Sequence, residues 1–136
     1  MGDPETQPIM ARLKTDLLTV MEHAVNGTLD TIELEWDRRT ALGVVMAAAG
    51  YPDAPRKDDL ITGIPAETVD TVTFHAGTTL NGERLTTAGG RVLCVVGLGD
   101  SVKMAQKQAY NVIDAIHFDG AQFRRDIGWR ALKKHA

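Results

Sequence analysis

The sequence predicts an α+β fold, a mostly antiparallel sheet packed by a few helices. Three observations lead there. The stretches 40–49 and 91–96 are continuous apolar runs containing Val44, Val45, Val92 and Val95, the pattern of buried strands. Leu80-Asn81-Gly82-Glu83 is a hairpin signal, because Asn-Gly tolerates the positive φ angles of a tight turn. Residues 101–116 repeat Val102, Ala105, Ala109, Val112, Ile113 and Ile116 on one helical face.

The chain opens on Gly2-Asp3-Pro4-Glu5, which reads as a turn leading into a helix, with Thr6 as N-cap and Pro8 near the first helical position. Met10, Leu13, Leu17, Met21 and Ala24 then recur at helical spacing, predicting one amphipathic helix over 6–25 that stops at Asn26-Gly27. An opening directly on a turn and a helix points to a piece of something longer. Gly50-Tyr51-Pro52 ends the first strand, and residues 52–59, with two prolines and several charges, form an exposed loop. Leu60 to Gly63 is a short strand or turn. Val69 to His75 alternates with period two, as a half-buried strand does. Asp100 or Ser101 caps the helix that follows. The tail, 117–136, mixes aromatics with Arg and Lys and ends in a short helix.

The chain has 136 residues, which suits one domain. Apolar residues make up 43% and charged residues 24%, so a disordered or fibrous chain is excluded. No apolar run approaches the roughly eighteen residues of a membrane span. The N-terminal residues lack the basic and apolar regions of a secretory signal. Net charge is −3, which argues against non-specific nucleic-acid binding. The single cysteine, Cys94, excludes an internal disulfide and a cysteine-built zinc site, and a reducing cytoplasm is the expected compartment.

Several residue types invite a chemical reading. Val95-Val96-Gly97-Leu98-Gly99-Asp100-Ser101 resembles the opening of a dinucleotide-binding turn. The third glycine would fall on Val102, however, and too little chain follows for a βαβ unit, so a tight strand-to-helix turn is the better reading. His23, His75, His117 and His135 are far apart, and none pairs with another ligand at helical spacing. Ser101 lacks the glycine-flanked elbow of a hydrolase nucleophile. Arg91 is more informative. It follows Gly89-Gly90 at the start of a buried strand, where a guanidinium fork is able to grip a phosphate, unless it is a strand-edge surface arginine. Arg124-Arg125-Asp126 reads as a solvated face or local ion pair.

Read in order, these segments resemble one family. Gly2-Asp3-Pro4-Glu5-Thr6-Gln7-Pro8 is similar to a segment of the phosphoribosylamine–glycine ligases (glycinamide ribonucleotide synthetases), ATP-grasp enzymes of purine synthesis. Trp36-Asp37, Arg39, Val44-Val45, Gly50-Tyr51-Pro52 and Gly63-Ile64-Pro65 continue the resemblance. So do Phe74-His75-Ala76-Gly77-Thr78, Gly89-Gly90-Arg91-Val92-Leu93, His117-Phe118-Asp119-Gly120 and Arg124-Arg125-Asp126-Ile127-Gly128.

The resemblance implies the last third or so of such an enzyme. Residues 1–28 would be a turn and helix from the end of the ATP-grasp domain, and 29–136 the C-terminal domain. The family joins glycine to 5-phosphoribosylamine through a glycyl phosphate, using ATP and Mg2+ (or Mn2+). The Glu and Asn metal ligands, and an arginine, lie just upstream of the position of Met1. No metal or nucleotide is therefore expected on this chain, which alone is expected to be inactive. Its partners would be phosphoribosylamine and the N-terminal and ATP-grasp domains of the same ligase, with no nucleic acid and no membrane. The resemblance implies that this domain holds phosphoribosylamine by its phosphate, and Arg91, with the backbone N–H groups that Gly89 and Gly90 leave open, is the expected holder. Asp3 and Glu5 would lie near the active site, facing glycine or the amine, or else act as helix-capping charges. Thr79 stands where the family often has Lys. The alternative is a stand-alone sugar-phosphate-binding module without catalysis.

Overall fold

The computed structural model describes residues 2–133. Helix α1 spans Thr6–Arg12 and α2 spans Leu17–Val25, and a 3-10 turn follows at Leu29–Thr31. Strand β1 is Thr40–Ala47, β2 Thr71–His75, β3 Thr78–Asn81, β4 Arg84–Thr87 and β5 Arg91–Gly99. Helix α3 is Val102–Ala115 and α4 is Trp129–Lys133.

The two apolar runs pair with each other. Strand β5 lies between β1 and β2, antiparallel to both. Its near-complete burial follows from that central place, with α3 on one face and α1 on the other. Leu42, Val44 and Met46 of β1 join Leu93 and Val95 of β5 against Ala105, Ala109 and Ile113 of α3. The β3–β4 hairpin forms a separate two-stranded sheet. Asn81 pairs with Arg84, and of the turn residues between them it is Gly82 that takes a positive φ, 63°. Ser101 caps α3 by accepting a hydrogen bond from Met104 N.

Sequence expectations are corrected in two places, the N-terminal helix with its cap and the glycines of β5. The single helix over 6–25 is two helices. The backbone amides of Lys14 and Thr15 donate to Glu35 O, Asp37 N donates to Arg12 O, and Leu13 bridges to Trp36. Asp16 then starts α2 afresh by accepting from Thr19 N at 3.1 Å. Apolar periodicity runs through this break, but a cross-chain ladder and a new cap supply the backbone partners that helix continuation would have supplied. The N-terminal residue just outside α1 is Glu5, while Thr6 lies inside the helix and its hydroxyl donates to Gly2 O.

The second correction concerns Gly97 and Gly99, which lie within β5 rather than in a turn. A Cβ on Gly97 would stand 2.1 Å from Ala105 O and 2.6 Å from Ala109 N, and one on Gly99 would stand 2.7 Å from Ala105 N. The two glycines let α3 lie directly on the strand.

Candidate functional site

Arg91 owes its position to an irregularity in β5. Met46 pairs with Leu93, but the next residue, Ala47, pairs with Arg91, so Val92 is an extra residue in the ladder. Val92 and Leu93 both enter the core. Strict alternation would have sent Arg91 to the Leu93 side. The bulge sends it instead towards the N-terminal turn, where its Nη1 and Nη2 donate to the two carboxylate oxygens of Asp3 at 2.9 and 2.5 Å. Two residues that the sequence singled out separately are thus one pair. The bonds to Asp3 raise the Arg91 pKa further above its ordinary value.

Asp3 is delivered by α1, whose Pro8 packs over Gly43 of β1: a Cβ on Gly43 would stand 2.9 Å from the Pro8 ring. Glu5 is exposed, and its side chain makes no capping bond. Gly89 and Gly90 fit tight backbone packing. A Cβ on Gly90 would strike the Tyr51 ring at 2.6 Å, and one on Gly77 would stand 2.9 Å from Gly89 Cα. Thr79 sits in β3 opposite Thr86.

Arg91 borders two hollows. The inner one, about 110 Å3, is lined by Asp3, Gln7, Val45, Ala76 and Cys94 among others. The outer one, about 370 Å3, is lined by Pro4, Val45, Ala47, Tyr51, Arg91, Gln122, Phe123 and Arg124. The inner hollow offers acceptors, the Asp3 carboxylate and a buried Gln7 Oε1 without a partner among the described residues. The outer one has two arginines and no acidic residue in its lining, which suits an anion. Its volume falls in the range of small-molecule sites. Hollows of about 420, 540 and 270 Å3 open elsewhere, beside Trp36, beside Ser101 and beside Trp129, the last lined by Arg124 and its ion-pair partner Asp126.

The sequence does not single out Tyr51, Gln122 or Arg124 as site residues, although all three line the outer hollow; in the sequence Tyr51 reads as part of a strand stop. Gln122 reaches the site because its backbone N–H and C=O pair with Ala47, on the edge of β1 away from β5. Ala47 is therefore flanked by Arg91 on one side and Gln122 on the other.

The expected local ion pair at Arg124-Arg125-Asp126 is present: Arg124 donates to both Asp126 oxygens at 2.9 and 2.7 Å. Arg125 pairs with Asp114 and lies over the Phe123 ring. His23 and His75 each bond a threonine hydroxyl, and His135 lies outside the described residues. Among the described residues there is no group of three or more His, Cys, Asp or Glu placed to hold a metal ion. Nor, among them, is any helix long and apolar enough to cross a membrane. Cys94 is buried in β5, and burial pushes its thiol up to about 11, so it is not a nucleophile at neutral pH.

The family pattern described as phosphoribosylglycinamide synthetase, C domain, matches residues 41–130. The chain belongs to this family. The match runs from β1 into α4 and takes in Tyr51, Gly89, Gly90, Arg91 and Arg124, but not Asp3 or Glu5. Phosphoribosylamine–glycine ligase of Ralstonia nicotianae is 69% identical over 98% of the chain, and those of Neisseria meningitidis serogroup B and Escherichia coli O157:H7 are 52% and 53% identical over the same share. A solved structure of phosphoribosylamine–glycine ligase from Thermotoga maritima superposes with a TM-score of 0.74 at 37% identity, covering 94% of this chain and 31% of that one. The chain spans about a third of the length of the relatives it matches: 32% of each of these three ligases.

Proposed function

We propose that this chain is the C-terminal part of an ATP-dependent ligase that joins glycine to 5-phosphoribosylamine in de novo purine synthesis. The observation that carries this reading is 69% identity along nearly the whole chain to an enzyme of that name. Residues 1–28 form the end of the ATP-grasp domain and 29–136 the C-terminal domain, joined where Pro8 sits on Gly43. The family match over 41–130 supports the second of these units. The working compartment is the cytoplasm, consistent with a single, buried, unpaired thiol.

In this reading the chain's own work is binding and orientation. Arg91 takes the phosphate of phosphoribosylamine in the outer hollow, releasing one or both of its bonds to Asp3. A guanidinium fork meets phosphate oxygens as it meets a carboxylate, with two parallel N–H···O bonds. The glycine-rich approach at Gly89 and Gly90 keeps β-carbons away from that end of β5. Asp3, beside the mouth of the inner hollow, faces the amine side of the reaction, with Glu5 next to it. ATP and Mg2+ do the phosphoryl chemistry in the whole enzyme, but the described residues do not fit the metal.

Two assays test the reading. The chain incubated with ATP, Mg2+, glycine and phosphoribosylamine should form no glycinamide ribonucleotide above background. In a full-length ligase, Arg91→Ala should raise the KM for phosphoribosylamine while Arg125→Ala leaves it unchanged. Equal effects of the two substitutions, or none from Arg91→Ala, would make Arg91 a structural strand-edge residue.

A further inference from the structure

We infer that Arg124 is the second anion-binding residue of the outer hollow, so that a sugar phosphate is held there between two guanidinium forks. The inference rests on the reading of Arg91 above and adds a residue that neither the sequence motif nor the ion pair pointed to. Three observations carry it.

First, Arg91 and Arg124 both line the outer hollow, whose lining holds no acidic side chain; Arg124, with its ion-pair partner Asp126, also borders a second hollow of about 270 Å3. Second, both arginines are held in the same way. Each is exposed and donates through two nitrogens to one carboxylate, Asp3 for Arg91 and Asp126 for Arg124. Exposed pairs of this kind contribute little to stability, so fold maintenance does not account for them. They occupy each fork with carboxylate oxygens that a phosphate is able to replace. The adjacent Arg125 differs. It reaches back to Asp114 on α3 and does not line the cavity.

Third, the segment that carries Arg124 is fixed at three points. Gln122 pairs with Ala47, Tyr110 Oη–H donates to Arg124 O at 2.6 Å, and Gln106 Nε2 donates to Ile127 O at 2.8 Å. A binding residue on a segment held by a strand and a helix loses little further freedom on taking a ligand. Across Ala47 the Arg91 and Gln122 positions are two strand spacings apart, roughly 10 Å. Tyr51 and Phe123 line the same hollow and offer apolar surface to the sugar.

The test is titration of ribose 5-phosphate, with inorganic phosphate as a comparison, into the chain and its variants, each checked for native circular dichroism and melting. Arg124→Ala should weaken ribose 5-phosphate binding roughly tenfold or more. Arg124→Lys should recover part of that loss, and Arg125→Ala should bind as the parent does. Asp126→Asn breaks the same ion pair but frees the fork, so it should bind at least as well as the parent. Ribose 5-phosphate should bind more tightly than inorganic phosphate if the aromatic walls meet the sugar. Parental binding by Arg124→Ala, with Arg91→Ala inactive, would overturn the role of Arg124 and leave that of Arg91 standing. Equal losses from Asp126→Asn and Arg124→Ala would reduce the ion pair to a structural one. Failure of the parent to bind, or parental binding by Arg91→Ala, would overturn both readings.

Discussion

Arg91 and Asp3, 88 residues apart, close on each other through two parallel hydrogen bonds of 2.9 and 2.5 Å. This contact ties the first strand residue after the glycine pair to the turn before α1. Its side chains remain 43% and 63% exposed, so it contributes little to stability. In the isolated chain Asp3 competes with any anion for the same fork. Asp3→Asn should therefore tighten ribose 5-phosphate binding roughly severalfold, with little change in melting temperature. Isothermal titration reads the first and calorimetry the second. Weaker binding in the variant would make Asp3 a ligand contact instead of a competitor.

Gly97→Ala should be severely destabilising. The new methyl would lie 2.1 Å from a backbone oxygen of α3, and a helix backbone cannot yield as a flexible side chain does. Overpacking of this sort costs about 1–3 kcal/mol, or on the order of 10 °C in melting temperature. A parental melting temperature would show that α3 shifts freely on the sheet.

Acid stability should carry the signature of Asp37. Its carboxylate accepts from the Arg39 side chain and from Arg39 N, which together hold it well below the usual carboxylate range. Arg39 also reaches Asp70 and Val69 O, linking the entry of β1 to that of β2. A depressed folded pKa stabilises the native state above the ordinary aspartate value of about 4 and loses that contribution as pH falls below it. Asp37→Asn should lower the melting temperature at pH 6 and flatten its decline below pH 4. Parallel melting curves for parent and variant across that range would contradict this assignment.

The Cys94 thiol should be inert in the native chain. Burial raises its pKa from 9.0 to about 11, and the Pro8–Gly43 contact lies close to its Sγ. At pH 8, a disulfide reagent should label it only after denaturation. A raised folded pKa also means that its contribution to stability is complete below about pH 9 and is lost as pH rises towards 11. Rapid labelling of the folded protein would show that α1 lifts readily from the sheet.

Much of the fold was legible in the sequence because it depends on local pattern. The buried runs at 40–49 and 91–96 became neighbouring strands β1 and β5, and the Asn-Gly pair marked the β3–β4 turn. The apolar face of 101–116 became the side of α3 that packs on the sheet, and the glycine pair before β5 singled out Arg91. Each follows from side-chain period, backbone freedom or burial, which neighbours in sequence set among themselves.

Other features depend on partners far along the chain, and local pattern is blind to them. The break between α1 and α2 is set by Glu35 and Asp37, the two glycines in β5 by the approach of α3, and the arrival of Gln122 and Arg124 by a free edge of β1. The sequence by itself determined the family, the α+β class and the arginine at the head of a buried strand. Only the tertiary structure decided which way that arginine faces. A single extra residue in a strand ladder turns the next side chain to the opposite face, and pairing with a second strand is what makes Val92 the extra residue.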